Sequence, residues 1–398
     1  MPFHVVVAGA GVAALEAALA LRALAKDLVD VALIAPEADF TYRPLAVTEP
    51  FRSDEVRRFP LEPLVNAAGA TLSPDGVAAV EPTEKRIRLA GGDTVEYDAF
   101  VLAAGTRARE AVVGALTFRG PEDIPALVAL LERATAGHVR RLAFVVPAGV
   151  SWPLPLYELA LQTGSYLSDR GTRGIELVLV TPEERPLSIF GREASQAVAE
   201  LLELRGIEVE LGTAAIAWHG GVLEAAGDHS VEADAAIALP QLVGPALPGL
   251  PHDGGGFVPT DLEGRVVGLT DVYAAGDATQ FRPKQGGLAT QQADAVAAAI
   301  AAEAGADVEP APYRPVLRGL LLTGFVPRYL RADVHAGSSI VDTEPLWWPP
   351  AKIVGRYLAP FLATQLGVAT QLSDDAKSHA LAVEIELDPH SSSSPTRA

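Results

Sequence analysis

The fold is decided by the stretch Phe3-His4-Val5-Val6-Val7-Ala8-Gly9-Ala10-Gly11-Val12-Ala13-Ala14. Its first six residues are largely apolar and predict a buried parallel strand, and an apolar run at helical spacing continues to Leu24. The glycines therefore lie in a turn between a strand and a helix. Gly9 permits the tight turn, and Gly11 lets a pyrophosphate approach the free N–H groups at the helix N-terminus. Ala14 stands in place of a third glycine, and the stretch predicts a dinucleotide site.

The strand after this helix lacks the acidic residue expected at its end. This strand is predicted over residues 31–35, and the acid that binds an adenosine ribose normally lies about 20 residues past the glycine turn. Ala35 occupies that position, and Glu37 lies two residues further on. Glu37 is therefore the candidate for ribose binding.

Two later apolar strands end in small residues. One gives Phe-Val-Leu-Ala-Ala-Gly-Thr at residues 100–106, after several short strands with turns from residue 70 onward. The other gives Asp-Val-Tyr-Ala-Ala-Gly-Asp-Ala at residues 271–278. A strand that ends in small residues lets its backbone lie close to a ligand. Asp277 follows Gly276 there, where a carboxylate can accept a hydrogen bond from a sugar-alcohol chain.

Taken in order, these three motifs resemble the FAD oxidoreductases with two dinucleotide-binding domains, in the branch that holds sulfide:quinone oxidoreductases and type II NADH dehydrogenases. The resemblance covers about residues 3–366 and implies an FAD held noncovalently, with its diphosphate at the first glycine turn. It also implies cofactor contacts from the residues that match the family by position. These are Gly9, Gly11, Ala13, Ala14, Glu37, Arg43, Pro44, Val80, Ala104, Gly105, Thr106, Gly276 and Asp277.

The segment after the Gly-Asp pair runs from Lys284 through Gly287 and Leu288 to Ala293. In the family that it resembles, this segment is a helix whose N-terminus points at the flavin pyrimidine edge. A helix N-terminus and a lysine both stabilise the negative charge of a reduced flavin. Lys284, Gly287 and Leu288 are therefore further cofactor candidates, and Lys284 is also a candidate catalytic residue. The alternative for Lys284 is a solvated surface charge.

The second half of the chain repeats the pattern with an altered turn. A strand is predicted over residues 142–146, but residues 147–155 keep only Gly149 and contain three prolines and Trp152. Proline removes the N–H donors that would hold a diphosphate. Glu158-Leu159-Ala160 still matches the family pattern at the start of the second helix, which makes Glu158 the second catalytic candidate. Residues 179–183 echo residues 33–37, so we expect a duplicated Rossmann-type unit that need not bind NAD.

Composition excludes several chemistries. The chain has no cysteine, which removes disulfides, thiolate metal sites and the persulfide relay of sulfide oxidation. Its eight histidines show no metal-ligand spacing, so no metal is expected, and a net charge of −19 argues against nucleic acid as a partner. No apolar run of membrane-spanning length and no signal peptide are found, so we expect a cytoplasmic protein.

The segment over residues 313–366 differs from the rest because it carries six cationic and three acidic side chains in an acidic protein. Within it, residues 346–362 combine Trp347, Trp348, Lys352 and Arg356 with apolar residues, a composition typical of a membrane interface. We expect this segment to meet the inner face of a membrane, peripherally, and a quinone. The alternatives are a homodimer interface or a lid over the flavin. Residues 390–398 predict a disordered tail.

The sequence as a whole predicts an α/β fold with two Rossmann-like dinucleotide-binding domains and a C-terminal domain. The FAD domain is expected over residues 1–112 and 245–312, the second NAD(P)-like domain over 113–244, and the C-terminal domain over 313–398. The expected function is electron transfer from a small-molecule donor to a quinone-like acceptor. An NAD(P)H-dependent reductase and a non-catalytic or electron-carrier flavoprotein stay open as alternatives.

Overall fold

The computed structural model describes residues 1–51, 57–333 and 338–365. The predicted α/β fold with Rossmann-like parallel sheets is confirmed. Helices in this part of the chain are α1 (Val12–Ala25), α2 (Leu61–Ala68), α3 (Ile124–Thr135), α4 (Leu154–Asp169), α5 (Arg192–Leu204), α6 (Gly286–Glu303) and α7 (Leu358–Gln365). The disordered tail that the sequence predicts, and the end of the expected C-terminal domain, lie outside the described residues.

The first parallel sheet has five strands, and the strand that precedes the glycine turn lies at its centre. Its spatial order is Val272–Ala274, Ala99–Leu102, Phe3–Ala8, Val29–Ile34 and Thr71–Ser73. The strands before the three cofactor motifs are therefore neighbours, so the motifs follow the carboxyl ends of adjacent strands. Ligands of open α/β sheets bind beyond this edge.

A second parallel sheet repeats this arrangement. Its spatial order is Leu116–Thr117, Ala235–Ala238, Arg141–Val145, Glu176–Val180 and Ile207–Glu210. The predicted strand over residues 142–146 is its central strand, and α4 follows that strand as α1 follows Phe3–Ala8. The duplication expected from the sequence is thus present in the fold.

Smaller antiparallel sheets complete the architecture. One three-stranded sheet accompanies each parallel sheet, and a third comes late in the chain. They are Val77–Glu81 with Arg86–Leu89 and Thr94–Glu96, Ala215–His219 with Val222–Ala225 and His229–Glu232, and Val316–Leu321 with Arg328–Asp333 and Ser338–Asp342. Two further pairs join Asp39–Thr41 to Arg58–Pro60 and Arg107–Arg109 to Gln241–Val243.

The packing of α1 against α6 explains the small residues of both cofactor motifs. The two helices share one buried cluster that is rich in alanine, so their backbones approach closely. Gly276 lies at this contact with a φ of +75°, and a Cβ there would lie 3.0 Å from Cβ of Ala13 and 3.3 Å from Cβ of Ala289. The small residues therefore let the Gly-Asp turn approach the start of α1.

The prediction that residues 346–362 form an exposed apolar surface is wrong. The Trp347 ring is buried, donates from Nε1 to the carbonyl oxygen of Ala351 at 3.0 Å and packs edge-on against Tyr329. Lys352 is also buried, and of the two cations expected at the rim only Arg356 is exposed. Leu346 and Trp347 complete a core with Tyr329, whereas Trp348 is half-buried. Among the described helices, none is both long and apolar enough to cross a bilayer.

Candidate active site

The first glycine turn presents bare backbone at the edge of the first sheet. Gly9 has a φ of +118°, and its N–H donates to the carbonyl oxygen of Ile34 at 2.8 Å. A Cβ on Gly9 would lie 2.5 Å from the carbonyl oxygen of Ala103, so a side chain there would push the neighbouring strand away. Gly11 is exposed and has no atom within 4 Å of the place where its Cβ would be. The turn therefore leaves open space at the start of α1.

The end of the neighbouring strand borders the same open space. Ala104 is exposed, and Gly105 adopts a φ of +69° with no atom near its Cβ position. Glu37 lies exposed beyond the next strand. Val80 is buried instead, and its N–H donates to the carbonyl oxygen of Pro248 at 2.9 Å, so that donor is already used by the protein. The adenine contact of Val80 stays a prediction.

The Gly-Asp turn supplies a carboxylate to the same region. Burial raises the pKa of the Asp277 carboxyl, and nearby Lys284 opposes that rise. Among the described residues, no protein donor hydrogen-bonds this carboxylate, although Asp277 lines a cavity. Asp277 is half-buried, and a carboxylate in a cavity wall without a protein donor can accept hydrogen bonds from a ligand. Bare backbone at Gly11, open space at Gly105 and the unused acceptor at Asp277 together fit a dinucleotide with a polyol chain, as FAD has.

A cavity of about 290 Å³ continues from Asp277 between the two parallel sheets. Arg43 and Pro44 line it as the resemblance implies, together with Lys284, Gln285 and Gly286 at the start of α6. Its opposite wall comes from the second sheet and includes Phe118, Arg119, Trp152 and Leu239. Residues of both sheets thus enclose one chamber, which is where a flavin ring and a substrate would meet.

Lys284 is a buried residue of this cavity and not a surface charge. Its Nζ donates to the carbonyl oxygens of Thr279 and Phe281, the latter at 2.8 Å, and lies 4.2 Å from the centre of the Phe257 ring. Burial lowers the pKa of Lys284 to about 8, while the Asp277 carboxylate opposes that shift. The position favours a functional cation over the solvated alternative.

The start of α6 differs in detail from the expected arrangement. The Gln285 side chain caps the helix by accepting from the Leu288 N–H at 2.8 Å, and it donates to the carbonyl oxygen of Arg318 at 3.1 Å. Gly287 and Leu288 are buried, whereas Gln285 and Gly286 line the cavity. Cofactor contacts from Gly287 and Leu288 stay predictions, and the structure adds Gln285 and Gly286 as residues nearer the cavity.

Glu158 and Lys352 form a buried ion pair in the cavity wall. Nζ of Lys352 lies 2.6 Å from Oε1 and 2.5 Å from Oε2 of Glu158, whose Oε1 also accepts from the Leu322 N–H at 2.8 Å. Burial raises the pKa of Glu158 and lowers the pKa of Lys352, and the attraction between them opposes both shifts. Sequence reasoning selected Glu158 but assigned Lys352 to a membrane rim. The only available signal was that Lys352 is a rare lysine in this chain.

The altered second turn contacts the FAD-side wall directly. The Lys284 N–H donates to Oγ of Ser151 at 3.3 Å, and Nη1 of Arg282 donates to the carbonyl oxygen of Gly149 at 3.2 Å. Trp152 packs edge-on against Phe190, with ring centroids 5.7 Å apart. The proline-rich turn therefore forms part of the cavity wall at the edge of the second sheet, where a glycine turn would hold a dinucleotide.

The chain from residue 351 to 358 crosses the first domain and is anchored at both ends of this span. The Ile353 N–H donates to the Tyr42 hydroxyl at 3.1 Å, next to the ion pair of Lys352. Glu16 in the middle of α1 accepts from the N–H groups of Tyr357 at 2.8 Å and Leu358 at 2.7 Å, which caps the start of α7. We call residues 351–358 the strap. It holds Lys352 in the cavity wall.

Solved structures with this fold include an oxidoreductase and two reductases. Sulfide:quinone oxidoreductase from Aquifex aeolicus superposes with a TM-score of 0.78 at 22% identity, over 85% of this chain and 86% of that one. A ferredoxin reductase from Rhodopseudomonas palustris superposes with a TM-score of 0.64 at 21% identity, over 82% and 81%. Putidaredoxin reductase, in a covalent complex with putidaredoxin, gives a TM-score of 0.62 at 18% identity, over 83% and 81%.

The family assignment rests on the amino-acid sequence of the chain. Residues 3–293 match the pyridine nucleotide-disulphide oxidoreductase family, a span that contains both parallel sheets and all three cofactor motifs. The fold, the motifs and the matched span agree, and the chain belongs to the pyridine nucleotide-disulphide oxidoreductase family.

Proposed function

We propose that this flavin oxidoreductase binds FAD noncovalently and passes electrons from a small donor to a quinone-like acceptor without cysteine chemistry. The observation that carries the proposal is the single cavity in which the first-domain wall, with Asp277 and Lys284, faces the buried pair of Glu158 and Lys352. The chain has no cysteine that could supply a thiol at this place. A quinone is the acceptor named for the similar Aquifex aeolicus enzyme.

The residues of the cavity supply positioning and charge. FAD supplies reversible electron-pair transfer when it is bound. The N-terminus of α6 and the Lys284 ammonium would offset negative charge on a reduced flavin bound in the cavity. The pair of Glu158 and Lys352 holds a proton between Nζ and the carboxylate in a place from which bulk water is excluded. Burial raises the pKa of Glu158 and lowers the pKa of Lys352, and the attraction between the two charges opposes both shifts.

The second turn bears on whether a nicotinamide dinucleotide or another molecule is the electron donor. Three prolines lie where N–H donors would hold a nicotinamide dinucleotide, and the turn is tied to Arg282 and Lys284 by hydrogen bonds. These features favour a donor other than NADH in the usual position. The retained start of α4 at Glu158 supports the second candidate, an NAD(P)H-dependent reductase.

Two experiments test the proposal. Heat-denatured protein should release FAD, identified by chromatography of the supernatant, and release of FMN or of no flavin after incubation with FAD would overturn it. Anaerobic stopped-flow mixing with NADH, NADPH and reduced quinones should then follow flavin bleaching. We expect slow or no bleaching by the nicotinamides, and when the pre-reduced protein is mixed with an oxidised quinone we expect fast reoxidation of the flavin. Rapid bleaching at micromolar NADH would favour the reductase, and no electron transfer with any donor or acceptor would favour a carrier role.

Sulfide tests separately whether the protein works without a cysteine thiol. Without a thiol to form a persulfide, sulfide should not reduce the flavin at a catalytic rate. Sustained turnover with sulfide and a quinone, in protein stripped of trace metal, would contradict the cysteine-free mechanism while leaving the cofactor assignment intact.

A further inference from the structure

The cavity has a charge that the rest of the protein does not share. Its lining includes six cationic residues, which are Arg43, Arg119, Arg282, Lys284, Arg318 and Lys352. The acidic residues of the lining are Glu158 and Asp277, so cations exceed acids by four in a chain with a net charge of −19. A cleft lined by one sign of charge concentrates ligands of the opposite sign.

The cations are arranged by depth. Lys284 and Lys352 are buried inside the cavity, each close to a carboxylate, Asp277 and Glu158 respectively. Arg43, Arg119 and Arg282 are exposed and therefore lie where the cavity opens to solvent. Each buried lysine lies close to a carboxylate and Arg119 pairs with Asp123, whereas Arg43 and Arg282 bring further positive charge to the opening.

Two of the opening arginines keep donors for a ligand. Arg282 donates from Nη1 to the carbonyl oxygen of Gly149, and its guanidinium lies 5.6 Å from the centre of the Phe257 ring. Arg119 donates from Nη1 to Oδ1 of Asp123 at 3.0 Å, an exposed ion pair of the kind that water screens. Each of these bonds uses one of the five N–H donors of a guanidinium.

An apolar wall lies in the same cavity as these arginines. Phe118, Val150, Trp152, Leu239 and Leu320 line it, and Phe118 and Leu239 directly follow strands of the second sheet. The cavity of about 290 Å³ would hold the flavin ring as well as a ligand, so the space beside the ring suits a small molecule.

We propose that the opening of the cavity binds small organic acids, with the carboxylate between Arg282 of the FAD-side wall and Arg119 of the opposite wall, and an apolar ring or chain against Phe118 and Trp152. The inference rests on the proposed function, because it names the chemical class of its donor. An arginine guanidinium matches a carboxylate in a planar, bidentate geometry, and the apolar wall rewards burial of the remainder of the molecule. A neutral ligand of the same shape would gain only the burial of its apolar part and not the contact between guanidinium and carboxylate.

The test uses the protein purified with its FAD and two probes of the same shape, benzoate and benzamide. Titration is followed by calorimetry and by the difference spectrum of the flavin between 350 and 550 nm. Benzoate should bind at least about tenfold more tightly than benzamide, the equivalent of about 1.4 kcal/mol. Added salt should weaken benzoate binding alone. Equal affinities for the two probes, or no binding of benzoate, would overturn the inference.

Arginine variants locate the site. Arg282→Leu and Arg119→Leu should each weaken benzoate binding by about tenfold and leave benzamide binding unchanged, since only the charged contact is removed. Arg173→Leu is the matched control, because Arg173 is exposed and does not line the cavity. Unchanged benzoate affinity in both cavity variants would place the anion elsewhere and overturn the inference. Flavin content, measured in every variant, reports separately on the proposed function.

Discussion

Nζ of Lys352 lies 2.6 Å from Oε1 and 2.5 Å from Oε2 of Glu158, and the two residues are 194 positions apart in the chain. Removal of one partner from a buried ion pair leaves an uncompensated charge, at a cost of about 3–5 kcal/mol. Lys352→Met and Glu158→Gln should therefore each lower the free energy of unfolding by an amount of this order, measured by chemical denaturation. The double variant should be more stable than the Lys352→Met variant, and a purely additive loss would show that the two residues are not coupled.

Gly11→Glu should abolish retention of FAD. The new carboxylate would occupy the open space at the start of α1, where it would repel a diphosphate. The ratio of flavin to protein absorbance after gel filtration should fall by at least about tenfold, because the diphosphate loses its place at the helix N-terminus. Gly254→Glu is the control, because Gly254 is also exposed with no atom near its Cβ position and does not lie in the glycine turn. Normal flavin content in the Gly11 variant would refute the assignment of the turn.

Asp294 should make the stability of the protein depend on pH. Burial and repulsion from neighbouring Glu16 together raise the pKa of Asp294 to about 8. The folded protein therefore keeps a proton that the unfolded chain loses near pH 4, so the stabilisation that this proton provides is lost as pH rises towards 8. Asp294→Asn removes the ionisation, and its stability relative to the parent should increase by at least about 1 kcal/mol between pH 5 and pH 8.

The comparison of Asp294→Asn with its parent needs denaturation curves at several pH values. Asp307→Asn, at an exposed position shortly after α6, serves as the control and should follow the parent at every pH. If the Asp294 variant runs parallel to its parent from pH 5 to pH 8, the carboxyl does not hold the proton assigned to it.

Trp347→Ala should destabilise the fold, because the ring is buried against Tyr329. Large-to-small changes at a buried tryptophan cost about 3–5 kcal/mol, so the melting temperature should fall clearly. The parent should show no salt-sensitive binding to anionic liposomes through residues 346–362, as measured by co-sedimentation. Liposome binding that Trp347→Ala removes without a change in melting temperature would restore the interfacial role expected from the sequence.

Local patterns predicted the parts of the fold that depend on nearby residues. The strand and turn around Gly9 are found as expected, since a parallel strand, a glycine turn and a helix are adjacent in sequence. The places of Ala104, Gly105 and Asp277 followed from the same pattern of strand ends. Their cofactor contacts stay predictions. The altered turn around Trp152 was also visible, because prolines and a tryptophan are unmistakable where glycines should stand.

Long-range relationships could not be predicted. The composition around Lys352 fits both a membrane interface and a buried core, and only the position of Glu158 shows which side of the segment is covered. Glu16 lies in an alanine-rich helix where a lone carboxylate signals a partner, but nothing local indicates that the partners are the N–H groups of Tyr357 and Leu358. The capping of Leu288 by Gln285 depends equally on side-chain geometry that no spacing rule contains.

The strap has a consequence for how the protein is made. A ribosome adds about 5–20 residues per second, so the 194 positions from Glu158 to Lys352 take roughly 10–40 s to synthesise. During that interval the remaining strands of the second sheet are synthesised, yet Glu158 in α4 lacks its counter-ion, and Glu16 lacks the two amides that it caps. The nascent chain therefore carries two unpartnered carboxylates, Glu158 where the cavity will form and Glu16 where α1 will meet the start of α7. A charged carboxylate without a partner favours water, so we expect both places to stay hydrated until the strap emerges and completes the cavity wall at Lys352.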